Sequence, residues 1–156
     1  MFRKIFVFVI ILVFFITGCS NEDPDMYEVS RSDMTEKLVN INFDYQLPAK
    51  LPFEVQSIQA NRPPTDQAMF SLAFYGPDGE YLFLDVSNSE IKQKSENNME
   101  EVKIGDKKGS YLENDQGAKI LFWKTNGVSY QLSLKESEEQ QGYTKEDLVH
   151  IARSFE

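Results

Sequence analysis

Polar and apolar residues alternate with a period of two along several stretches of the chain between residues 41 and 134. Successive side chains of a β-strand point to opposite faces of a sheet, so this period indicates strands. We predict strands at residues 41–47, 53–59, 68–75, 80–86, 101–104, 109–113, 118–124 and 128–134. Connections rich in Gly, Asn, Asp and Pro separate many of them, as in antiparallel hairpins. We therefore expect about six to seven of these segments to form one antiparallel sheet.

The last residues of the chain change to the period of an α-helix. Thr144 suits an N-cap, and Asp147 follows three residues later, as in a capping box. An apolar stripe at the spacing i, i+3, i+4 and i+7 is formed by Leu148, Ile151, Ala152 and Phe155. Consecutive strands followed by one amphipathic helix predict an α+β fold, with the C-terminal helix packed on one face of the sheet.

The amino terminus carries a different kind of apolar segment. Residues 5–16 contain no polar side chain and follow the basic pair Arg3 and Lys4. A helix that spans a bilayer needs about 20 apolar residues, whereas the apolar region of a signal peptide needs only about 7–15. We interpret residues 1–18 as an export signal. The alternatives are an ordinary secretory signal with an incidental cysteine, or an uncleaved anchor.

The end of this segment, Ile16-Thr17-Gly18-Cys19, resembles the lipobox of bacterial lipoproteins. The resemblance implies transfer of a diacylglyceryl group, which carries acyl chains such as palmitate, to the thiol of Cys19. It also implies cleavage between Gly18 and Cys19. Cys19 is the only cysteine of the chain, so no disulfide framework competes for it.

Residues 20–32 are polar and lack hydrophobic periodicity, which is typical of a solvated tether. Asp33, with Glu36 three residues later, predicts the start of a short helix. We therefore expect a signal peptide at 1–18, the lipidated cysteine and a flexible tether at 19–32, and a single globular domain at 33–156.

The formal net charge of −9 excludes some classes of partner. Removal of Arg3 and Lys4 with the signal would make the processed chain two charges more negative. Such a surface is repelled by nucleic-acid phosphate and by anionic lipid headgroups. We expect no nucleic-acid partner, while cations, cationic peptides and neutral surfaces remain possible.

Aromatic residues provide the candidate ligand-binding positions. The period of two places Phe122 and Trp123 on opposite faces of one strand, and it places Tyr81 and Phe83 opposite the leucines of another. We assign Trp123, Tyr81 and Phe83 as candidate ligand-binding residues on the face that the helix leaves uncovered. The alternative is that residues 33–40 or the longer loops cover these rings.

The sequence offers little for catalysis. His150, the only histidine, has Glu146 four residues before it, but two ligands on an exposed helix bind a metal weakly. A Gly-x-Ser-x-Gly motif is missing. Carboxylate pairs such as Glu100 and Glu101 fall at predicted loops or strand ends. We expect no catalytic residues, no metal and no cofactor.

The order of several short motifs resembles an uncharacterised extracytoplasmic domain family of Gram-positive bacteria. The motifs are residues 47–52 (LPAKLP), 102–105 (VKIG), 109–111 (GSY), 121–123 (LFW), 127–132 (GVSYQL) and 147–154 (DLVHIARS). Members of this family follow lipobox signals or single membrane spans, and some are anti-sigma-factor-like proteins. The resemblance covers residues 33–156, and it implies a sheet with a terminal helix and no catalytic residues.

These features together predict a lipoprotein anchored on the outer face of the cytoplasmic membrane, in a Gram-positive cell by the resemblance. We expect a non-enzymatic binding or accessory module for a protein, peptide or apolar ligand. The alternatives are an envelope hydrolase that uses paired carboxylates, and a carrier with an apolar cavity for lipid cargo.

Overall fold

The computed structural model describes residues 25–61, 68–91, 99–135 and 142–156. In chain order its elements are β1 (Tyr27–Glu28), α1 (Arg31–Thr35), β2 (Lys50–Leu51), β3 (Ser57–Asn61), β4 (Met69–Tyr75), β5 (Tyr81–Ser87), β6 (Glu100–Ile104), β7 (Lys107–Glu113), β8 (Lys119–Thr125), β9 (Val128–Lys135) and α2 (Lys145–Arg153). The main sheet has the strand order β3-β4-β5-β9-β8-β7-β6, and each neighbouring pair is antiparallel. The predicted α+β class is confirmed.

Local sequence signals explain why these strands form hairpins. Asn126 and Gly127 connect β8 to β9, and both have positive φ angles, of 52° and 83°. A two-residue hairpin turn of this kind matches the right-handed twist of the strands, and Asn-Gly is its preferred sequence. The turn sets the register in which Thr125 faces Val128, and this register carries through the pairs that follow.

One face of the main sheet, the inner face, holds the hydrophobic core. Its fully buried side chains include Phe70, Leu72, Phe74, Leu82, Leu84, Leu121, Tyr130, Leu132 and Leu134. Helix α2 covers the part of this face formed by β6, β8 and β9. Leu148 and Ile151 of α2 have no exposed surface, and burial of such a side chain contributes roughly 1.5–3 kcal/mol.

The predicted cap of α2 is confirmed in full. The Thr144 side chain accepts from the backbone N–H of Asp147, and the Asp147 carboxylate accepts from the backbone N–H of Thr144 at 2.6 Å. This reciprocal pair satisfies two backbone donors that a helix start leaves without partners.

The amino-terminal segment, residues 26–55, covers the other part of the inner face. Tyr45 meets Phe70 of β4 edge-on, with ring centroids 4.9 Å apart, and Met34 of α1 is buried in the same core. The segment is joined to the carboxyl terminus by backbone hydrogen bonds. Leu47 and Glu156 exchange two of them, each 3.1 Å long, so both covering segments are held together.

Three predictions for the amino-terminal part are wrong. Helix α1 is capped by Ser30, whose side chain accepts from the N–H of Asp33, so the helix starts before Asp33. Residues 41–47 do not form a strand, because their alternating apolar side chains pack onto the core without a neighbouring strand. The strand predicted at 53–59 is shifted to Ser57–Asn61.

The fold also includes residues before the predicted boundary at residue 33. Tyr27–Glu28 pairs with Lys50–Leu51, and the N–H of Val29 donates to the carbonyl of Ala49 at 2.9 Å. The carboxyl-terminal part of the predicted tether at 19–32 is therefore held in the fold. The signal at 1–18 and Cys19 lie outside the described residues.

Candidate binding surface

The second face of the main sheet, the outer face, points away from both covering segments. It carries the side chains of alternate strand residues: Ser71, Ala73, Tyr75, Tyr81, Phe83, Asp85, Ile120, Phe122, Ser129, Gln131 and Ser133. Both described helices contribute to the core on the inner face. In the described parts of the chain, the outer face is therefore the candidate ligand-binding surface.

Three half-buried rings of the outer face form a continuous row, the aromatic strip, made of Tyr75, Tyr81 and Phe83. Tyr75 and Tyr81 are cross-strand partners with ring centroids 5.2 Å apart. Tyr81 and Phe83 stack on the same strand, with centroids 6.2 Å apart and an interplanar angle of 22°. The structure thus places two of the three candidate residues, Tyr81 and Phe83, next to each other on the outer face, opposite the face that the two described helices cover.

Trp123, the third candidate, lies in the core. Only 4% of its surface is exposed. Its ring stacks on Tyr130 at 5.0 Å and meets Phe155 edge-on at 5.0 Å. Trp123 occupies the inner face of β8, under the end of α2, so its assignment to the uncovered face is wrong.

Asp85, which the sequence analysis did not single out, lies on the outer face of the interior strand β5. Its cross-strand neighbours are Ser71 on β4 and Gln131 on β9. The Ser71 hydroxyl donates to Asp85 Oδ1 at 2.5 Å. Burial raises the pKa of the Asp85 carboxyl, and the hydrogen bond from Ser71 lowers it by a smaller amount. A charged group in this position is costly for the fold, which makes it a candidate for function.

The sequence does contain the signal for Asp85. In the stretch from Tyr81 to Val86, it is the one charged side chain that shares a face with Tyr81 and Phe83. An acid between apolar strand residues is unusual, because a strand position of this kind normally favours aromatic or β-branched side chains.

The other buried carboxylates have structural partners. Glu80 is 4% exposed, and its Oε2 accepts from the backbone N–H of Asp78 in the turn between β4 and β5. Asp147 caps α2. Two exposed carboxylates form ion pairs: Glu100 with Lys145 at 2.8 Å, and Glu101 with Lys108 at 3.1 Å. A paired-carboxylate hydrolase would need a second acid beside Asp85, yet the strand neighbours of Asp85 are neutral.

The layer between the sheet and α2 is filled by side chains. The rings of Trp123, Tyr130 and Phe155 contact one another, and Leu148 and Ile151 are fully buried beside them. A lipid-cargo carrier would need an apolar cavity at this position. Phe122, in contrast, belongs to the outer face and borders a groove of about 570 Å³ with Lys108, Lys124 and Ile91.

Within the described ranges, no group of three or more His, Cys, Asp and Glu side chains is arranged to hold a metal ion. His150 and Glu146 lie on α2 beside a shallow surface depression with Lys145. None of the helices in the described part is long and apolar enough to span a membrane.

Comparison with known proteins gives one match. The sequence model of a family described as a domain of unknown function, DUF4367, matches residues 60–154. This range contains β4 to β9 and the whole of α2, and therefore both faces of the main sheet. No curated protein and no solved structure matches the chain.

We expect the charge of Asp85 to lower the free energy of unfolding of the protein at neutral pH. Because the folded state binds this proton more tightly than the unfolded state, ionisation destabilises the fold as the pH rises through the folded-state pKa. Below the unfolded pKa of about 3.9, both states are protonated and the cost disappears. The variant Asp85→Asn should therefore have a higher free energy of unfolding than the wild type at pH 7, and the difference should vanish below about pH 4.

Urea denaturation of the full chain at a series of pH values checks this. Glu101→Gln, which removes an exposed carboxylate from the edge strand β6, serves as the control and should change stability little at any pH. A lower stability of Asp85→Asn at pH 7, or a difference that does not depend on pH, would contradict the prediction.

Proposed function

The chain belongs to the DUF4367 family, and from the geometry of its sheet we propose that it is a membrane-anchored binding module that recognises a protein or peptide partner through the outer face. In this proposal the chain is a bacterial lipoprotein, and Cys19 carries the lipid. The module is held on the outer side of the cytoplasmic membrane, in a Gram-positive cell, and acts without catalysis of its own.

The observation that carries the binding role is the difference between the two sheet faces. Apolar side chains of the inner face are sealed under α2 and residues 26–55. The outer face nevertheless keeps three half-buried rings in contact, Tyr75, Tyr81 and Phe83. The carboxylate of Asp85 follows Phe83 on the same face of β5. A contiguous aromatic patch outside the core is typical of an interaction site, and Tyr is enriched among residues that dominate binding energy.

The position of β1 supports an orientation with the outer face turned away from the membrane. Met26 and Val29, on either side of β1, pack against the core, so the chain enters the fold in the layer that covers the inner face. Only seven residues, 20–26, separate Cys19 from Tyr27, and they span at most about 25 Å. A lipid on Cys19 would hold this layer near the bilayer and present the opposite face to partners.

Chemistry at the outer face favours binding over catalysis. The carboxylate of Asp85 accepts from Ser71, and its other strand neighbour is the amide of Gln131. General acid–base catalysis on a glycosidic bond uses two carboxyl groups that flank the bond. A single acid among hydroxyl, amide and aromatic groups fits recognition of a partner.

We predict that Cys19→Ala releases the protein from membranes. The double acyl chain is the only stable anchor in this proposal, since a single chain binds a membrane only marginally. Fractionation of cells, followed by immunoblotting, should move the variant from the membrane pellet to the soluble fraction, while Ser20→Ala stays in the pellet. Retention of Cys19→Ala in the pellet with residues 1–18 still attached would show an uncleaved span instead.

We predict that a photo-crosslinking phenylalanine analogue at position 83 captures a protein or peptide partner in intact cells. The matched position is Tyr27, which is 45% exposed in the anchor-side layer and should give no adduct of the same size. Tyr81→Ser should reduce the yield of the adduct at position 83 severalfold, because it removes the neighbouring ring. Adducts at position 27 with none at position 83 would contradict the assignment of the outer face.

A further inference from the structure

The outer face shows a chemical gradient along β5. Tyr81, Phe83 and Asp85 follow one another on the same face at intervals of two residues, and we call these three residues the β5 strip. Its ends differ in charge, because Lys135 is the cross-strand neighbour of Tyr81, whereas Ser71 and Gln131 flank Asp85. The strip thus runs from rings beside a cation to a carboxylate among neutral polar groups.

The carboxylate of Asp85 can bind a cationic group through one of its two oxygens. Within the described part of the chain, the Ser71 hydroxyl donates a hydrogen bond to Oδ1 of Asp85. The second oxygen, Oδ2, can accept from an ammonium or guanidinium group. A cation would also stabilise the charged form, which burial disfavours.

The rings next to Asp85 suit the same class of ligand. A cation within about 6 Å of an aromatic ring is attracted to the face of the ring, and Phe83 is the nearest ring along the strip. Farther along, Phe83 and Tyr81 stack and offer apolar surface. Two residues of an antiparallel strand advance about 6.8 Å, and this is also the distance between alternate side chains of an extended peptide.

We propose that the β5 strip binds an extended cationic peptide segment, with a lysine or arginine side chain at Asp85 and an apolar side chain on the rings of Phe83 and Tyr81. The inference rests on the proposed function, because it names the partner class for the same outer face. Electrostatic complementarity agrees with it, since the chain carries a net charge of −9, which attracts cationic partners from solution.

Two other occupants fit the charges less well. A purely apolar ligand would cover Asp85 without replacing its hydration, and a buried charge without a partner is costly. A second copy of the chain in a two-fold symmetric contact centred on Asp85 would bring two carboxylates and two strongly negative molecules together.

Fluorescence anisotropy tests the inference with dye-labelled hexapeptides and the full-length protein in a nonionic detergent. The probe, called the Lys–Val peptide, is the hexapeptide Lys-Ser-Val-Ser-Val-Ser, in which the lysine and both valines lie on the same face when the peptide is extended. The comparison, called the Glu–Val peptide, is Glu-Ser-Val-Ser-Val-Ser. We expect the Lys–Val peptide to bind, its affinity to fall as salt is raised, and the Glu–Val peptide not to bind.

Variants locate the site. Asp85→Asn should weaken binding of the Lys–Val peptide about tenfold or more, because a hydrogen bond to a charged group is lost. Glu101→Gln removes an exposed carboxylate from β6 and should change the affinity less than twofold. Thermal unfolding checks that both variants are folded. If Asp85→Asn is unfolded, the salt dependence of binding by the wild type and its preference for the Lys–Val peptide test the inference instead.

Unchanged binding to folded Asp85→Asn, equal binding of the two peptides, or no binding of the Lys–Val peptide would overturn the inference. The broader proposal is tested separately by the crosslink at position 83. Suppose that a partner crosslinks at position 83 but peptide binding is the same in the wild type and in Asp85→Asn. The outer face would then remain the binding surface, and only the cationic class of partner would be rejected.

Discussion

The structure depends on sealing one face of a seven-stranded sheet from water. Strands of this sheet carry leucine and phenylalanine on the inner face, and a single layer of strands cannot bury them alone. The cover comes from two segments far apart in the sequence, α2 and residues 26–55. Hydrogen bonds between Leu47 and Glu156 join these segments, so the amino-terminal cover and the carboxyl-terminal cover stabilise each other. Loss of either would expose the core.

The two covering segments lie on the inner face, so the outer face stays outside the core that they enclose. The outer face combines hydroxyl and amide groups with the rings of Tyr75, Tyr81 and Phe83. Such a mixture suits a surface that contacts water in the free protein and a partner in the complex. Asp85 makes one end of this face chemically different from the aromatic end, because it is a partly desolvated acid whose strand neighbours are neutral. A lipid on Cys19 would complete this arrangement by fixing the covered side toward the membrane.

Much of this architecture could be predicted from the sequence, because period and turn chemistry are local. The strands from β4 to β9 and the cap of α2 follow directly from alternation, from Asn126-Gly127 and from Thr144 with Asp147. The position of Trp123 could not be predicted in this way. A period of two shows that Trp123 and Phe122 lie on opposite faces, but the choice of covered face depends on long-range packing of α2. Residues 41–47 show a second limit, since an alternating segment that packs on a core resembles a strand.

The most direct test of this two-faced sheet compares two neighbouring residues of β5, Leu84 on the inner face and Phe83 on the outer face. Each is replaced by alanine in the full chain, and urea denaturation gives the free energy of unfolding. Leu84 is fully buried, so Leu84→Ala should cost about 2–5 kcal/mol. Phe83→Ala should cost only about 1 kcal/mol, because it mainly loses ring contacts at the surface. A loss for Phe83→Ala that equals or exceeds that for Leu84→Ala would show that both faces are core, and it would contradict the account.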